Sequence, residues 1–257
     1  MSIHERDIAT EGRDYAEMLL SIDDVTVTYG RFAALSGVSL RLNRGEVLGI
    51  IGPNGAGKSS LIDAMTGFTA PARGTITFNG LRLDRQSPAT RARLGLVRTF
   101  QTPELFETLS VQEHVMVVRE SGKQSDSSTQ RRTGPGAVLS AAGLSDRAAT
   151  SAEFLPGGER KLLELARALA QNPVVLVLDE PVAGLPMRYL SVVVRAIRQV
   201  VEHARSGVIL VEHNMRFIAE TCDAVVVLNF GRVVASGTWD EVRSDQSVIE
   251  AYLGPGE

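Results

Sequence analysis

Val47-Leu-Gly-Ile-Ile-Gly-Pro-Asn-Gly-Ala-Gly-Lys-Ser59 is the stretch on which the reading of this chain turns. Its first five residues form a short apolar run, as expected of a strand buried on both faces. The next eight match G-x-x-x-x-G-K-[ST], and a helical pattern with Leu61, Ile62 and Met65 on one side follows as far as Gly67, the expected helix stop. Each residue type has a physical reason. Glycines allow positive φ and bring several backbone N–H groups onto one anion. The helix starting at Lys58 adds its positive dipole end. Lys58 can reach terminal phosphates, and the Ser59 hydroxyl can ligate Mg²⁺. A surface turn of glycines with a bystander lysine would not need a strand before it and a helix after it. A nucleoside triphosphate site is therefore expected, formed by Gly52, Asn54, Gly55, Ala56, Gly57, Lys58, Ser59 and Ser60.

Such a site needs an acid for the metal. Val174-Val-Leu-Val-Leu178 is a second buried-strand candidate and ends in Asp179-Glu180. Ligands gather at the C-terminal ends of strands in an α/β sheet. Asp179 is placed to hold Mg²⁺ through water, and Glu180 to polarise a water for in-line attack on the γ-phosphate.

Further out, the chain alternates between two textures. Residues 19–29, 38–42 and 74–80 alternate as antiparallel strands do. Residues 100–172 read as a helical insertion. A capping box at Ser110-Val-Gln-Glu113 opens a helix with Val111, Val115 and Val118 inward, and another helix runs from Glu159 to Ala170. The polar, Ser/Gly-rich stretch 119–136 reads as a flexible loop. The β/α texture then returns with strands at 208–211, 224–228 and 233–235, a helix over 188–204 and a turn at Asn229-Phe-Gly-Arg232. Capping boxes at Thr238–Glu241 and Ser247–Glu250 open short terminal helices. The expected fold is α/β: a P-loop NTPase (RecA-like) core with an antiparallel β subdomain and an inserted α-helical subdomain at about 101–171. Residues 1–18 are expected to be a flexible extension of a single domain over 19–257.

Composition limits the function classes. The 257 residues carry 27 Lys and Arg against 30 Asp and Glu, so the net charge is −3, with no global pull toward nucleic acid or anionic lipid. One cysteine, Cys222, excludes a disulfide framework within the chain and reads as a small apolar group. Uninterrupted aliphatic runs reach about five residues where a spanning helix needs ~20, and the polar N-terminus has no secretory h-region. The chain is expected to be cytoplasmic, with any membrane role reached through a partner.

The two motifs, with four further features, resemble the ATP-binding cassette (ABC) ATPases, in matching order over about residues 19–254. The resemblance implies that Gln101 is the Q-loop glutamine that touches Mg²⁺ and signals to the transport partner. It also implies that Leu155-Pro-Gly-Gly-Glu159 is the signature, that His213 is the switch histidine orienting the γ-phosphate and the attacking water, and that Tyr29 stacks on adenine. His4, His114 and His203 have no such context. Gly157 and Gly158 at a helix start make a second anion receptor. In the family this signature closes on ATP held by another subunit, so the resemblance implies a second ABC ATPase subunit, self or paralogue. Two positions depart from the pattern. Pro156 replaces the signature serine and Pro186 replaces an acid or amide in the D-loop Ala183-Gly-Leu-Pro186. Both fall on surfaces meant for the opposite subunit.

Phe100–Phe106, Asp179–Leu185, Val211–Met215 and Val248–Gly254 are similar to the ATPases of branched-chain amino-acid uptake systems and their amide and urea relatives; lipid and lipopolysaccharide exporters share much of this. The uptake resemblance implies ATP and Mg²⁺ as cofactors, integral membrane permease subunits contacting the 101–110 region, an extracytoplasmic binding protein and a peripheral position on the inner face of the membrane. Pro103, Leu105, Phe106 and Leu109 offer apolar atoms for that docking, or else pack under the helical insertion. The rivals are a soluble ABC ATPase of translation or DNA repair, a weakly hydrolytic ATP-driven clamp, and more distantly a small-molecule kinase. The first usually carries two cassettes or a long coiled-coil insertion. A kinase would leave the Gly157-Gly158 helix start idle.

Overall fold

The computed structural model describes residues 18–100, 104–121, 134–204 and 206–253. Gln101, Pro103, His4, residues 1–17 of the expected N-terminal extension, the 122–133 part of the expected loop and the side chain of His203 lie outside what it describes; Met18, the last residue of that expected extension, belongs instead to the first strand.

Two sheets form. The first is antiparallel, with β1 (Met18–Tyr29), β2 (Phe32–Asn43), β4 (Arg73–Phe78) and β5 (Leu81–Arg82) in the order β2-β1-β4-β5. The second contains β3 (Val47–Ile51), β6 (Leu96–Arg98), β7 (Val175–Asp179), β8 (Gly207–Val211), β9 (Ala224–Asn229) and β10 (Arg232–Gly237) in the order β10-β9-β3-β8-β7-β6. All its pairs are parallel except the β9–β10 hairpin. Phe230 and Gly231 both take positive φ in the hairpin turn, 44° and 72°, the two-residue turn that matches strand twist.

The apolar runs are explained by burial on both faces. Along β8, Val208 and Leu210 join one core cluster while Ile209 and Val211 join the other. β7 divides in the same way, Leu176 and Leu178 against Val175 and Val177. One cluster lies between the two sheets and includes Leu61, Ile62 and Met65 of α1 (Lys58–Thr66). The other lies under α3 (Val111–Ser121), α4 (Pro135–Ala141), α5 (Gly157–Ala170) and α6 (Leu190–Ala204).

Several sequence expectations are corrected. Both described ends of the expected loop 119–136 are helical. Arg119-Glu-Ser121 continues α3. Pro135 sits in the first turn of α4, where its missing N–H costs nothing, and buried Val138 and Leu139 anchor that helix. The helix expected to open at Ser247 starts earlier as α9 (Gln246–Leu253): Asp245 accepts from the Ser247 N–H at 2.8 Å and from its hydroxyl, so Asp245 and not Ser247 caps it. The boxes at Ser110 and Thr238 form, the latter opening α8 (Trp239–Arg243). Four short elements carry no periodic signal: α2 (Pro88–Arg93), β5, β6 and α7 (Met215–Thr221).

Candidate functional site

The strand order places the motifs. β3, β8, β7 and β6 are successive parallel neighbours, and their C-terminal ends lead into Gly52–Ser59, Glu212-His213, Asp179-Glu180 and Thr99-Phe100. Four chain segments distant in sequence therefore meet on one rim of one sheet, where an α/β fold gathers its ligands.

The phosphate loop depends on its glycines. Gly52 has φ 155°, and a Cβ there would lie 2.2 Å from the Leu228 carbonyl oxygen. Gly57, at φ 104°, caps α1, and a Cβ there would lie 2.7 Å from the Ala34 carbonyl oxygen. Gly55, at φ 79°, faces open space. The start of α1 has no side-chain cap, so first-turn amides remain for an anion. Asn54, Gly55 and Ser59 are exposed, Ser60 is half-buried, and Ala56 is buried, with its carbonyl accepting from Gly231 N–H at 2.9 Å. Lys58 Nζ donates to the carbonyls of Gly52 at 2.7 Å and Pro53 at 3.0 Å. Burial holds its pKa below the ordinary lysine range, against the pull of Glu180 and Asp179. At the far end of α1, the buried Arg91 guanidinium donates to the carbonyls of Ala64 and Met65, both at 2.7 Å.

Asp179 ends β7. Its N–H donates to Thr99 Oγ1 at 3.2 Å, and its carboxylate lies 3.8 Å from the Arg98 guanidinium. Arg98 also pairs with Asp63 of α1 at 2.7 Å and lies over the rings of Phe68 and Phe100. Burial raises the Asp179 pKa; Arg98 opposes this, while Glu180 and Asp63 add to it. Among the described residues no group of three His, Cys, Asp or Glu gathers to hold an ion alone. The donor set at hand is a hydroxyl and a carboxylate, hard oxygens that suit Mg²⁺ when phosphate oxygens and water complete its shell.

Glu180 Oε1 lies 3.3 Å from His213 Nε2. Glu180 has φ 49°, a left-handed conformation uncommon for a non-glycine residue and found at sites where the surroundings over-determine the backbone. Its N–H donates to the Val211 carbonyl at 2.9 Å. Lys161 on α5 braces the turn that follows, donating to the carbonyls of Ala183 at 2.6 Å and Glu180 at 3.3 Å. Tyr29 is 49% exposed at the end of β1, with its hydroxyl 3.3 Å from Thr69 Oγ1.

Pro156 is the N-cap of α5, where its ring fits the backbone. Gly157 is exposed with open space about it. At Gly158 a Cβ would meet Leu185, Pro186 and Tyr189, each at 3.3 Å. The two departures from the cassette pattern thus lie on adjoining segments. Tyr189 Oη donates to Glu159 Oε1 at 3.2 Å, strapping those segments together.

The 105–109 stretch divides between its two expected roles. Leu105 packs on the core, whereas Phe106 is 57% exposed. Arg160 of α5 grips Glu107 through both guanidinium nitrogens. His114 has a local structural role: Nε2 accepts from Phe106 N–H at 3.0 Å and Nδ1 faces the Ser110 carbonyl at 2.9 Å. Cys222 is half-buried, and its thiol is pushed up to about 12, chiefly by burial. Arg98, Lys161 and Glu212 at this rim escaped the sequence reading. The one available signal was that Glu212 is a charged residue directly following a buried strand.

Comparison with known proteins agrees with this geometry. The profile of the ABC transporter family matches residues 35–183, and that of the branched-chain amino acid ATP-binding cassette transporter matches residues 232–254. The chain is 33% identical over 252 residues to the high-affinity branched-chain amino acid transport ATP-binding protein LivG of Salmonella typhimurium, covering 93% of this chain and 99% of that protein. BraF of Pseudomonas aeruginosa, with the same description, is 32% identical over 249 residues, covering 92% of this chain and 98% of its own length. The lipopolysaccharide export system ATP-binding protein LptB of Haemophilus influenzae is 31% identical over 239 residues, covering 92% of this chain and 97% of LptB. Among solved structures, a nucleotide-free ATP-binding cassette from an ABC transporter superimposes with a TM-score of 0.77 at 30% identity, covering 93% of this chain and 100% of that one. The four strand ends, the profile over 35–183 and the near full-length relatives give one answer: this chain belongs to the ABC transporter family, as one of its ATP-hydrolysing cassettes.

Proposed function

We propose that this chain hydrolyses ATP to energise import of branched-chain amino acids or related small polar solutes. The Glu180–His213 contact at 3.3 Å, on the rim that carries the phosphate loop and Asp179, is the observation behind the chemistry. The match at 232–254 and the descriptions of LivG and BraF support the solute class.

In this reading Gly52, Asn54, Gly55, Ala56, Gly57 and Ser60 wrap the phosphates with backbone amides. Lys58 shifts from its own loop carbonyls to the β- and γ-phosphates, and Tyr29 stacks on adenine. Ser59 and Asp179, with Gln101, hold Mg²⁺, which when bound neutralises charge on the transferring phosphoryl group. Glu180 accepts the proton of the attacking water. His213 orients Glu180, the water and the γ-phosphate. Gly157 and Gly158 at the uncapped start of α5 receive the γ-phosphate of ATP held by a second cassette subunit. Pro156 leaves that receptor without one amide donor.

No helix among the described residues is long and apolar enough to cross a membrane. The chain works on the inner membrane face, against permease subunits that Phe106 and its neighbours touch, with an extracytoplasmic binding protein supplying the solute. The similarity to LptB keeps an export role as the alternative.

Steady-state turnover of the purified chain tests the chemistry. Glu180→Gln is expected to bind ATP with wild-type affinity, release no phosphate and accumulate as an ATP-bound dimer; retained turnover would remove Glu180 from its role. Disrupting the gene should abolish uptake of labelled leucine, isoleucine and valine. Normal uptake of all three with failed lipid export would favour the alternative.

A further inference from the structure

Glu212 is a carboxylate 2% exposed, between the end of β8 and His213. Burying a carboxylate is costly unless its oxygens are hydrogen-bonded. Here each oxygen serves a different loop. Oε1 accepts from the Val182 N–H at 2.9 Å, in the turn after Glu180. Oε2 accepts from the N–H of His213 at 3.0 Å and of Asn214 at 3.4 Å.

These two loops carry the two side chains that must meet. Glu180 follows β7 and His213 follows β8, and nothing covalent joins them nearby. The backbone of Glu180 is tied to β8 by its bond to the Val211 carbonyl. That bond lies at the strand end, and the two Lys161 bonds tie the Glu180 turn to α5 rather than to the His213 loop. Glu212 closes the second side of the frame. Asn214, held by the same carboxylate, goes on to cap α7 through a 3.1 Å bond from the Phe217 N–H, so the His213 loop is fixed at both ends. A tenth-of-nanometre displacement of one reacting group is enough to cost large factors in rate.

We propose that Glu212 is a positioning residue: it staples the loop bearing Glu180 to the loop bearing His213 and holds their side chains in register for water activation. The proposal rests on the roles given above to Glu180 and His213. Its chemistry is specific to a carboxylate. Glutamine has nearly the same shape but presents an NH₂ to one of the two loops, where it faces N–H donors and bonds to neither.

Glu212→Gln is therefore expected to lower kcat about thirtyfold. The affinity for fluorescent ADP should change less than about twofold, because Lys58, Ser59 and the phosphate loop are untouched. In a His213→Ala background, the same change should cost less than about threefold further, since the pairing with Glu180 that it holds in register is already broken. Unchanged kcat in Glu212→Gln overturns the proposal. So does a full, multiplicative loss in the His213→Ala background, or weakened ADP binding with kcat preserved, since either marks a general structural role. If Glu212→Gln does not unfold cooperatively, Glu212→Asp carries the same three comparisons, because the shorter carboxylate keeps its charge but reaches one loop only. A Glu180→Gln control that retains turnover would overturn the reading of the base however Glu212 behaves.

Discussion

Two glycines of one phosphate loop should respond in opposite degree to the same added methyl. At Gly52 a Cβ would sit 2.2 Å from the Leu228 carbonyl oxygen and 3.1 Å from the Ala56 Cβ, on a backbone at φ 155°. Ordinary contact begins near 3.4 Å, so the loop and β9 must part by about 1 Å. Overpacking of that kind, added to an unfavourable backbone, costs about 3 kcal/mol. In a chain of this size about 1 kcal/mol moves Tm by roughly 2–4 °C, so Gly52→Ala should melt roughly 6–12 °C below wild type. At Gly55 the φ of 79° is unfavourable for alanine, but nothing lies within 4 Å. The penalty is then about 1 kcal/mol of backbone energy, and the melt should fall by only about 2–4 °C. Circular dichroism melts without nucleotide measure both, and nucleotide affinity is measured separately on each folded variant. A Gly52→Ala melt within about 2 °C of wild type, or equal losses at the two sites, would refute the steric argument.

Other outcomes follow from buried polar groups. Arg91 donates to the carbonyls of Ala64, Met65 and Leu83 at 2.7 Å each, so Arg91→Met strands the end of α1 and should cost about 3 kcal/mol in denaturant titrations, with nucleotide affinity per folded molecule unchanged. The pKa of His114 is lowered from the ordinary 6.5, chiefly by burial, with Arg167 adding and the Ser110 carbonyl, Glu113 and Glu107 opposing. The unfolded chain therefore takes up this proton first as pH falls, so stability declines below about pH 6.5 until the lower folded-state value is passed. His114→Gln should show a shallower decline over that window in denaturant midpoints; equal slopes would remove His114 as a source of it.

Much of this molecule is legible without coordinates, for identifiable reasons. Strands buried on both faces announce themselves as unbroken apolar runs, which is why Val47–Ile51 and Val174–Leu178 stand out. The phosphate loop is legible because its backbone demands glycine at fixed spacing. The short elements α2 and α7 are not legible, because six or seven residues give too little periodicity and their starts depend on single caps, Ser87 and Asn214. Ser247 misled because a good capping residue stood two places after a better one, Asp245. At the site, Asp179, Glu180 and His213 fall within recognisable motifs. Glu212, Lys161 and Arg98 do not, because what each does is set by a backbone group or side chain from a distant segment. Lys161, for instance, serves the Ala183 carbonyl, 22 positions away.

The central strand of the parallel sheet has a consequence for how errors are tolerated. Val211 of β8 is paired with Asp179 on one side and with Ile50 on the other. Side chains in a strand alternate faces, so sliding β8 by a single residue would exchange the environments of Glu212 and His213 and also invert the buried row Val208, Ile209, Leu210 and Val211. Both faces of β8 are apolar, so misthreading is penalised by the misfit of these four side chains in one another's packing sites. The side on which the imidazole emerges is thus inherited from packing in two cores, and the rim contacts of Glu212 refine what that packing has already chosen.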